Sequence, residues 1–374
     1  MKSNKNTILL VGGGTGGHIV PILNIYKKLK QNDPDLDICV VGGNTALDHK
    51  FYDGIDNYYI LYTGKFHRML TLNNILQLLL LLFGLIQAIV ILLRIHPRVI
   101  FSKAGYVSLP IIFWAKILKI PYCIHESDIF MGKSNEFAAS GAKKVFVGFP
   151  KNNYQKKYQD KMEFSGQILR PEIENIKKNL YDFNLNKTKP TIFITGGSQG
   201  ARNINNAIFS SLAELLLKYN LIHHVGALDY KRAIEIRSNL KSEQKKSYYI
   251  SDLLTDSRDG KSLLLSAVYE ADLVVTRASA TTLGEIAALS KPIIAIPYKH
   301  AAADHQSKNA EYFRKNKAAM VISDDRNLKG NLVKEIDRLN KNRAEMNQMA
   351  KNANDLFPKD GSDQIVKEIA AFLN

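Results

Sequence analysis

The chain has 374 residues, of which 45% are hydrophobic, and this length predicts two domains of roughly 150–200 residues rather than one core. Its two cysteines exclude a disulfide scaffold, no cysteine–histidine cluster has metal-site spacing, and we expect no signal peptide because the N-terminus is polar. The formal net charge of +16 indicates an acidic partner, which is nucleic acid, a phospholipid surface or a phosphorylated substrate, unless it reflects only a solvated lysine-rich surface.

Strand and helix signals alternate through the first half of the chain. These signals predict six strands, at Thr7–Gly12, Asp37–Val41, Tyr58–Tyr62, Val99–Ser102, Pro121–His125 and Lys144–Val147. Helical stretches lie between them, near Gly17–Gln31, Thr71–Leu93, Ser108–Leu118 and Lys133–Ser140. Strands separated by helices of this length predict βαβ units and a parallel sheet.

One apolar stretch raises the question of a membrane. Ile75–Leu93 contains no charged residue and is long enough to cross a bilayer. A span there would separate the Gly12 loop from the strand at Val99–Ser102, which one folded sheet does not permit. The apolar run is also interrupted by Gln77, Gly84 and Gln87. We therefore expect a buried or interfacial helix, and the interfacial alternative is supported by flanking bases at Lys65, His67, Arg68, Arg94, His96 and Arg98.

The second half restarts the alternation after a polar, basic connection at Pro150–Pro190. Six more strands are predicted, at Thr191–Thr195, Leu221–Val225, Ser247–Ile250, Leu273–Thr276, Pro292–Pro297 and Ala319–Ile322. We assign residues 1–165 to the first domain and residues 166–360 to the second. Residues 361–374 form a C-terminal helix that is a candidate to pack back on the first domain.

Two glycine-rich loops each follow a strand and precede a helix, GGGTGGH at Gly12–His18 and GGSQGA at Gly196–Ala201. This arrangement binds anions, because backbone N–H groups and the helix dipole point at the ligand. The first loop lacks the spacing of a dinucleotide fingerprint. His18 is suited to general-base work because imidazole titrates near neutrality, although a helix-capping role is the alternative. Ser198 lies in the second loop, where it suits a diphosphate cradle.

The segment Thr276–Asn309 carries the densest set of polar signals in the second half. A strand ends in a turn of small residues, and a helix follows whose first N–H groups are placed to receive a phosphate. Glu285 lies about one turn into this helix, where it is either a ribose ligand or an exposed helix carboxylate. Gln306 is either a substrate contact or the polar start of another helix.

Together these residues resemble the MurG family, whose members transfer N-acetylglucosamine from UDP-GlcNAc to the lipid-linked muramyl-pentapeptide of peptidoglycan synthesis. The resemblance runs in order through GGGTGGHIVP, KAGYVSLP, IHES, SGQILRP, GGSQGARNIN, TRASATTLGEIAALSKPIIAIP and ADHQSKNA, which cover nearly the whole chain. It implies an α/β structure with the GT-B glycosyltransferase fold, in which two Rossmann-like domains face each other across a cleft. Residues 1–165 would bind the acceptor and the membrane, and residues 166–360 would bind UDP-GlcNAc.

The resemblance also implies roles for single residues. His18 and Glu285 are the expected catalytic residues, since His18 matches a histidine that helps to deprotonate the acceptor hydroxyl and Glu285 matches a glutamate that holds the ribose. Thr15, Gly16 and Gly17 match the loop that contacts substrate phosphates. Further substrate-binding positions are implied at Asp128, Arg170, Ser198, Leu254, Ala280, Thr281, Thr282 and Gln306.

Within that set, Arg170, Ser198 and Gln306 match positions near the donor sugar nucleotide, and Leu254 is expected to contact the uracil through its backbone. Two residues depart from the family pattern. Asp128 stands where relatives carry an asparagine, so the hydrogen-bond donor of that amide is lost. Ser279 stands where relatives often carry a glycine.

The implied reaction is a single inverting displacement, in which a muramyl hydroxyl attacks the anomeric carbon of GlcNAc and UDP leaves. Helix and loop N–H groups would stabilise the leaving diphosphate, so we expect no metal and no obligatory cofactor. The expected partners are UDP-GlcNAc, the lipid-linked muramyl-pentapeptide diphosphate and the anionic inner-membrane surface. Nucleic acid is not expected, and the protein would be peripheral on the cytoplasmic face of the plasma membrane. The alternatives are another GT-B transferase, a non-enzymatic UDP-sugar-binding protein and, with least support, a nucleic-acid-binding protein.

Overall fold

The structure, a computed structural model, describes residues 6–64, 73–178, 180–197, 200–252, 257–258, 261–298, 304–358 and 361–373. The chain divides into two units. The first is Met1–Pro171 together with Pro358–Asn374, and the second is Glu172–Phe357.

The first unit is built on a parallel sheet whose central strands are buried. Its strands are β1 (Ile8–Val11), β2 (Ile38–Gly42), β3 (Tyr58–Ile60), β4 (Val99–Ser102), β5 (Tyr122–Glu126), β6 (Lys144–Val147) and β7 (Met162–Phe164). They lie in the order β3-β2-β1-β4-β5-β6-β7, and every neighbouring pair is parallel. The six strands predicted for this half are confirmed, and β7 adds a seventh.

Helices connect these strands as crossovers. They are α1 (Gly16–Asn32), α2 (Ala46–Tyr52), α3 (Asn73–Ile95), α4 (Ser108–Ile117) and α5 (Lys133–Ala139). Short 3₁₀ turns follow at Lys151–Asn153, Lys156–Lys161 and Pro171–Lys178. Helix α2 was not predicted from the sequence. It begins with a capping box, in which the Thr45 side chain accepts from the Asp48 N–H and the Asp48 carboxylate accepts from the Thr45 N–H.

The second unit repeats the parallel α/β arrangement. Its strands are β8 (Thr191–Thr195), β9 (Asn220–His224), β10 (Tyr248–Ser251), β11 (Ser257–Arg258), β12 (Lys261–Ser262), β13 (Leu273–Thr276), β14 (Ile293–Ala295) and β15 (Met320–Val321). Six of them form a sheet in the order β10-β9-β8-β13-β14-β15, with all neighbours parallel, and β11 pairs with β12 in an antiparallel hairpin. The six predicted strands of this half are therefore confirmed.

The helices of the second unit cover its sheet. They are α6 (Arg202–Phe209), α7 (Leu212–Lys218), α8 (Ala227–Ser238), α9 (Ser242–Lys245), α10 (Leu263–Glu270), α11 (Ala280–Ala288), α12 (His305–Lys315), α13 (Leu328–Lys341) and α14 (Arg343–Asn354). Buried side chains of α6, α7, α13 and α14 join the strands in one hydrophobic core.

The last helix, α15 (Gly361–Ala371), packs within the first unit. Ile365 and Ile369 are fully buried in the hydrophobic core that also holds β1 and α1. Two ion pairs accompany this contact, Lys28 with Asp363 at 2.6 Å and Lys144 with Glu368 at 2.6 Å.

The first boundary between the units lies at Pro171, which corrects the predicted boundary after residue 165. The segment between these points is held by the first unit: Gly166 O accepts a hydrogen bond from His125, and the Leu169 N–H donates to Ser362 Oγ. The chain then returns to the first unit at Pro358, which corrects the predicted boundary after residue 360. Contacts between residues far apart in sequence set both boundaries, so composition does not reveal them.

Helix α3 lies on the surface of the first unit. Its exposed apolar side chains recur at helical spacing, at Ile75, Leu79, Leu82, Ile86, Val90 and Leu93. The helix is long and apolar enough to cross a membrane by length and composition, yet only 22% of its apolar window is buried in the protein. The structure thus contradicts the buried alternative for this helix.

The polar interruptions of α3 lie on its protein-facing side. The Gln87 side chain donates to Ile60 O at 2.6 Å and accepts from the Tyr62 N–H at 2.9 Å. A Cβ at Gly84 would lie 2.7 Å from Tyr62 O, so glycine permits the close approach of α3 to the end of β3. The flanking bases Lys65, His67 and Arg68 lie outside the described residues.

The packing of α15 leads to a testable prediction for the stability of the first unit. Ile369→Ala removes a fully buried side chain and should cost about 2–5 kcal/mol of the first unit's unfolding free energy. Hydrogen exchange of β1 and α1 amides measures this loss for the first unit alone. Leu228→Ala is the control, because Leu228 lies on α8 with 83% of its side chain exposed. Unchanged exchange in Ile369→Ala would contradict the role assigned to α15.

Candidate functional site

In each unit, the strand order reverses at one point in the sheet. In the first unit the chain goes from β1 to β2 and β3 on one side, then returns to place β4, β5, β6 and β7 on the other. In the second unit the same reversal occurs between β8 and β13. Ligands of open parallel sheets bind at the carboxyl ends of the strands beside such a reversal. The glycine loops follow β1 and β8, so each lies at the reversal point of its own unit.

The buried carboxylate of Asp48 holds the first glycine loop in place through hydrogen bonds. Asp48 accepts hydrogen bonds from the Gly14 N–H at 3.0 Å, the Gly43 N–H at 3.0 Å and the Thr45 N–H at 3.2 Å. Gly14 has φ +82°, and a Cβ there would lie 2.5 Å from the Tyr106 hydroxyl, so the position requires glycine. Asp48 therefore fixes the course of the loop, while Thr15, Gly16 and Gly17 continue into α1.

His18 is the third residue of α1 and is half-buried. Its Nδ1 lies 3.0 Å from Thr15 Oγ1, so the threonine orients the imidazole. The ring also packs against Gly105, which has φ +84° and where a Cβ would lie 3.1 Å from the ring. Gly105 lies in the loop after β4, so the two loops at the reversal point meet at His18.

A buried polar cluster lies at the ends of β4 and β5. The Lys103 ammonium donates to Ser127 Oγ at 2.6 Å and to His125 Nδ1 at 2.9 Å. Burial, and then the charge of Lys103, lower the pKa of His125 well below its ordinary value, so this imidazole is neutral. The Glu126 carboxylate accepts from the Asp128 N–H at 2.9 Å and from Asn135 Nδ2 at 2.6 Å. The cluster fixes the backbone of the turn that presents Asp128.

In the second unit, the glycine loop is joined to a buried imidazole. The Gly197 N–H donates to Thr195 Oγ1 at 3.1 Å, and that hydroxyl lies 3.0 Å from His224 Nδ1. The other ring nitrogen of His224 lies 3.1 Å from Asp252 O. Burial lowers the pKa of His224, which is consistent with a neutral ring that donates to the carbonyl and accepts from the threonine. Ser198 of this loop lies outside the described residues.

Helix α11 begins beside the second reversal point. Ala280 is buried at its first position, and Thr281 and Thr282 follow, half-buried, in its first turn. Ser279 precedes the helix, with its hydroxyl 3.2 Å from Thr281 Oγ1. Glu285 is only 7% exposed, which contradicts the alternative of an exposed helix carboxylate.

A second buried network supports this turn. Arg277 pairs with Asp324 at 2.9 Å and donates to Ile296 O at 3.0 Å. Asn309, fully buried on α12, donates to Ala278 O at 3.1 Å. Gln306 lies on the first turn of α12, and its side-chain oxygen accepts from the Tyr298 N–H at 3.0 Å. The donor-side residues predicted on α11 and α12 thus lie on elements tied to the end of β13 and β14.

Arg170 lies after β7 and belongs to the first unit, which corrects its assignment to the second domain. Leu254 lies outside the described residues. Sequence reasoning missed the residues that hold the loops, which are the buried Asp48, Lys103, Thr195, His224 and Arg277 together with Asp324, whose side chain is 5% exposed. Their one shared signal is a polar residue at or just after the end of a buried strand, or in a helix cap, and that signal is common on protein surfaces.

Among the residues that the structure describes, no group of three or more His, Cys, Asp or Glu side chains has the arrangement of a metal site.

Comparison with protein families places both halves in one enzyme class. The model of the glycosyltransferase family 28 N-terminal domain matches residues 8–147, and that of the family 28 C-terminal domain matches residues 191–365. Curated relatives named UDP-N-acetylglucosamine–N-acetylmuramyl-(pentapeptide) pyrophosphoryl-undecaprenol N-acetylglucosamine transferase match along almost their whole length. The protein from Bacillus pumilus is 30% identical, covering 97% of this chain and 99% of its own, and that from Halalkalibacterium halodurans is 31% identical with the same coverage.

Solved structures show the same fold. A crystal structure of Acinetobacter baumannii MurG has a TM-score of 0.71 and 21% identity, covering 97% of this chain and 98% of its own. The Neisseria meningitidis UDP-GlcNAc 2-epimerase bound to UDP-GlcNAc has a TM-score of 0.66 and 13% identity, covering 98% of this chain and 100% of its own. These similarities establish the two-domain GT-B fold.

The hydrogen bonds of Asp48 to the first glycine loop lead to a second testable prediction. Asp48→Ala leaves the Gly14, Gly43 and Thr45 N–H groups without their acceptor and should cost about 3 kcal/mol of the first unit's stability. Chemical denaturation measures this loss, and amide exchange at Gly14 should accelerate with it. Asp53→Ala, an exposed aspartate just after α2, is the matched control. Wild-type exchange at Gly14 in the Asp48 variant would show that the carboxylate does not hold the loop.

Proposed function

Because the chain belongs to glycosyltransferase family 28, and within it to the MurG family, we propose that it transfers N-acetylglucosamine from UDP-GlcNAc to the muramyl hydroxyl of undecaprenyl-diphosphate-MurNAc-pentapeptide. This reaction converts lipid I to lipid II in peptidoglycan synthesis. The observation that carries the proposal is the position of both glycine loops at reversal points, in a chain whose relatives of this name match from end to end.

The second unit supplies the donor site. The loop after β8 and the N-terminus of α11 hold the diphosphate through backbone N–H groups. The dipole of α11 also favours negative charge at this end of the helix. Ala280, Thr281 and Thr282 provide the first N–H groups of that helix, and Glu285 accepts hydrogen bonds from the ribose diol. Ser198, Leu254 and Gln306 are assigned to the donor by the family resemblance. As UDP leaves, the same N–H groups stabilise the charge that develops on it, so the proposed reaction needs no obligatory cofactor.

The first unit supplies the acceptor site. The loop at Gly12–Gly17 binds the acceptor diphosphate through its backbone, and Asp48 fixes that loop by accepting from the Gly14 N–H. His18 acts as general base on the muramyl hydroxyl. Because its Nδ1 contacts Thr15, Nε2 is the nitrogen that takes the proton. The hydroxyl oxygen forms a bond to the anomeric carbon while the bond from that carbon to the UDP oxygen breaks, which inverts the configuration.

A transfer assay with radiolabelled UDP-GlcNAc and a lipid-linked muramyl-peptide acceptor tests this assignment. Glu285→Ala should lower kcat/KM for UDP-GlcNAc about 100-fold, because a buried carboxylate no longer binds the ribose. His18→Ala should lower kcat about 100-fold or more without weakening UDP-GlcNAc binding, because the general base is lost.

Matched controls are available for both variants. Glu270→Ala removes an exposed glutamate from α10, and His49→Ala removes an exposed histidine from α2, and both should retain wild-type rates. Folded wild-type protein that binds UDP-GlcNAc but transfers nothing to this acceptor would refute the proposed reaction.

The acceptor is a membrane lipid, and the first unit carries a surface suited to it. We propose that the exposed face of α3, together with Phe113, Ile117 and Leu118 on and after α4, inserts into the headgroup region of the cytoplasmic leaflet. Neither α3 nor α4 contains an acidic residue. Arg94 at the end of α3 and Lys119 after α4 are exposed and would lie against anionic headgroups. The protein would therefore be peripheral on the inner membrane surface.

Liposome flotation tests this docking surface. Wild-type protein should float with vesicles that contain phosphatidylglycerol and dissociate from them as salt increases. Leu79→Glu with Ile86→Glu should reduce the vesicle-bound fraction at least about tenfold, because two apolar contacts are lost and negative charge is added. Leu217→Glu with Leu228→Glu changes two leucines of α7 and α8 that are even more exposed, and this variant should float as wild type does. Equal flotation of both double variants would refute the proposed surface.

A further inference from the structure

Lys103 is a buried lysine that lies between the two loops of the first reversal point and the turn after β5. It follows β4 directly, and its N–H donates to Val11 O at 2.9 Å. A Cβ at Gly12 would lie 3.2 Å from the Lys103 Cβ, so the side chain starts beside the glycine loop. It is 2% exposed, so the ammonium ends inside the protein.

The ammonium is bound by the turn after β5. It donates to Ser127 Oγ at 2.6 Å and to His125 Nδ1 at 2.9 Å, with His125 O at 3.5 Å. The other ring nitrogen of His125 donates to Gly166 O at 2.9 Å, so its Nδ1 is the acceptor. These contacts lock the backbone immediately before Asp128.

The ammonium also interacts electrostatically with two carboxyl groups of this turn, Glu126 and Asp128. Burial lowers the pKa of Lys103, and the charges of Glu126 and Asp128 partly oppose this effect. The resulting pKa is about 8, so the ammonium form prevails at pH 7. Burial, and then the charge of Asp128, raise the pKa of Glu126 to about 7. A buried ammonium costs free energy unless such charges and hydrogen bonds compensate it.

We propose that Lys103 is a positioning residue for the anionic, lipid-linked diphosphate acceptor: it fixes the turn that presents Asp128 and balances the negative charge of that turn. This inference rests on the proposed function, because it takes the Gly12–Gly17 loop as the diphosphate site. Neighbouring strands lie about 4.8 Å apart, so the ends of β1 and β5 are about 10 Å apart with β4 between them. At that distance the charge of Asp128 repels a diphosphate, and the ammonium of Lys103 offsets part of that charge.

A double-mutant cycle on the kinetics of transfer tests the proposal. Lys103→Met should raise the acceptor KM about tenfold and leave the KM for UDP-GlcNAc unchanged, because the donor loops belong to the other unit. In the Asp128→Asn background the same substitution should raise the acceptor KM less than about threefold, because the charge to be balanced is gone. A lysine that serves only packing would give equal factors in both backgrounds.

Lys28→Met is the matched control. Lys28 is also largely buried in the first unit and pairs with Asp363 at 2.6 Å, but it lies on α1 against α15 rather than at the strand ends. It should leave both KM values unchanged. An acceptor KM of Lys103→Met equal to wild type, or equal factors in the two backgrounds, overturns the inference while transfer by wild type upholds the proposed function. Absence of transfer by wild type overturns both.

Ser127→Ala provides a milder variant if Lys103→Met does not fold. It keeps the ammonium and removes its shortest hydrogen bond. The acceptor KM should then rise about threefold, again without change in the KM for UDP-GlcNAc. An unchanged acceptor KM in this variant also overturns the proposal.

Discussion

The reversal of strand order within each parallel sheet is the constraint on which the rest of the structure depends. Parallel strands end at one edge, and where the crossovers diverge the loops at that edge leave room for a ligand. In the first unit this happens between β1 and β4, and in the second between β8 and β13. His18, Lys103 and Ser279 are far apart in sequence, yet each lies in the loop or the first helical turn that follows one of these four strands. The sheet topology therefore decides which polar residues belong to a site.

A glycine loop gains its binding geometry only when something fixes it, and the two units do so differently. In the first unit the carboxylate of Asp48 accepts three backbone N–H groups, and a charged acceptor of this kind is strong because it is buried. In the second unit the neutral His224 acts through the Thr195 hydroxyl, which accepts from Gly197. In the proposed function, each loop supported in this way binds a phosphate.

Sequence patterns predict the helices and strands of this chain well, because the spacing of apolar residues along each segment determines which type of element forms. The twelve predicted strands, the glycine loops and the helix that carries Glu285 all depend on neighbouring residues. The loop supports could not be predicted, since Asp48 looks like an ordinary helix cap and Lys103 like a surface lysine until the sheet brings β1, β4 and β5 together. The boundary at Pro171 could not be predicted for the same reason. It depends on contacts between the 165–170 segment and residues as distant as Ser362.

The composition of helix α3 does not by itself determine the environment of the helix. Its leucine-rich sequence permits a core helix, a membrane span or an interfacial helix, and the positions of a few polar residues decide among them. Gln87 and Gly84 lie where α3 contacts the end of β3, so the opposite face is the one left apolar and exposed. That face belongs to the same unit as the loop at Gly12–Gly17 and Lys103. In the proposed function, an acceptor whose lipid remains in the bilayer would contact this unit, while the second unit would bind the soluble sugar nucleotide.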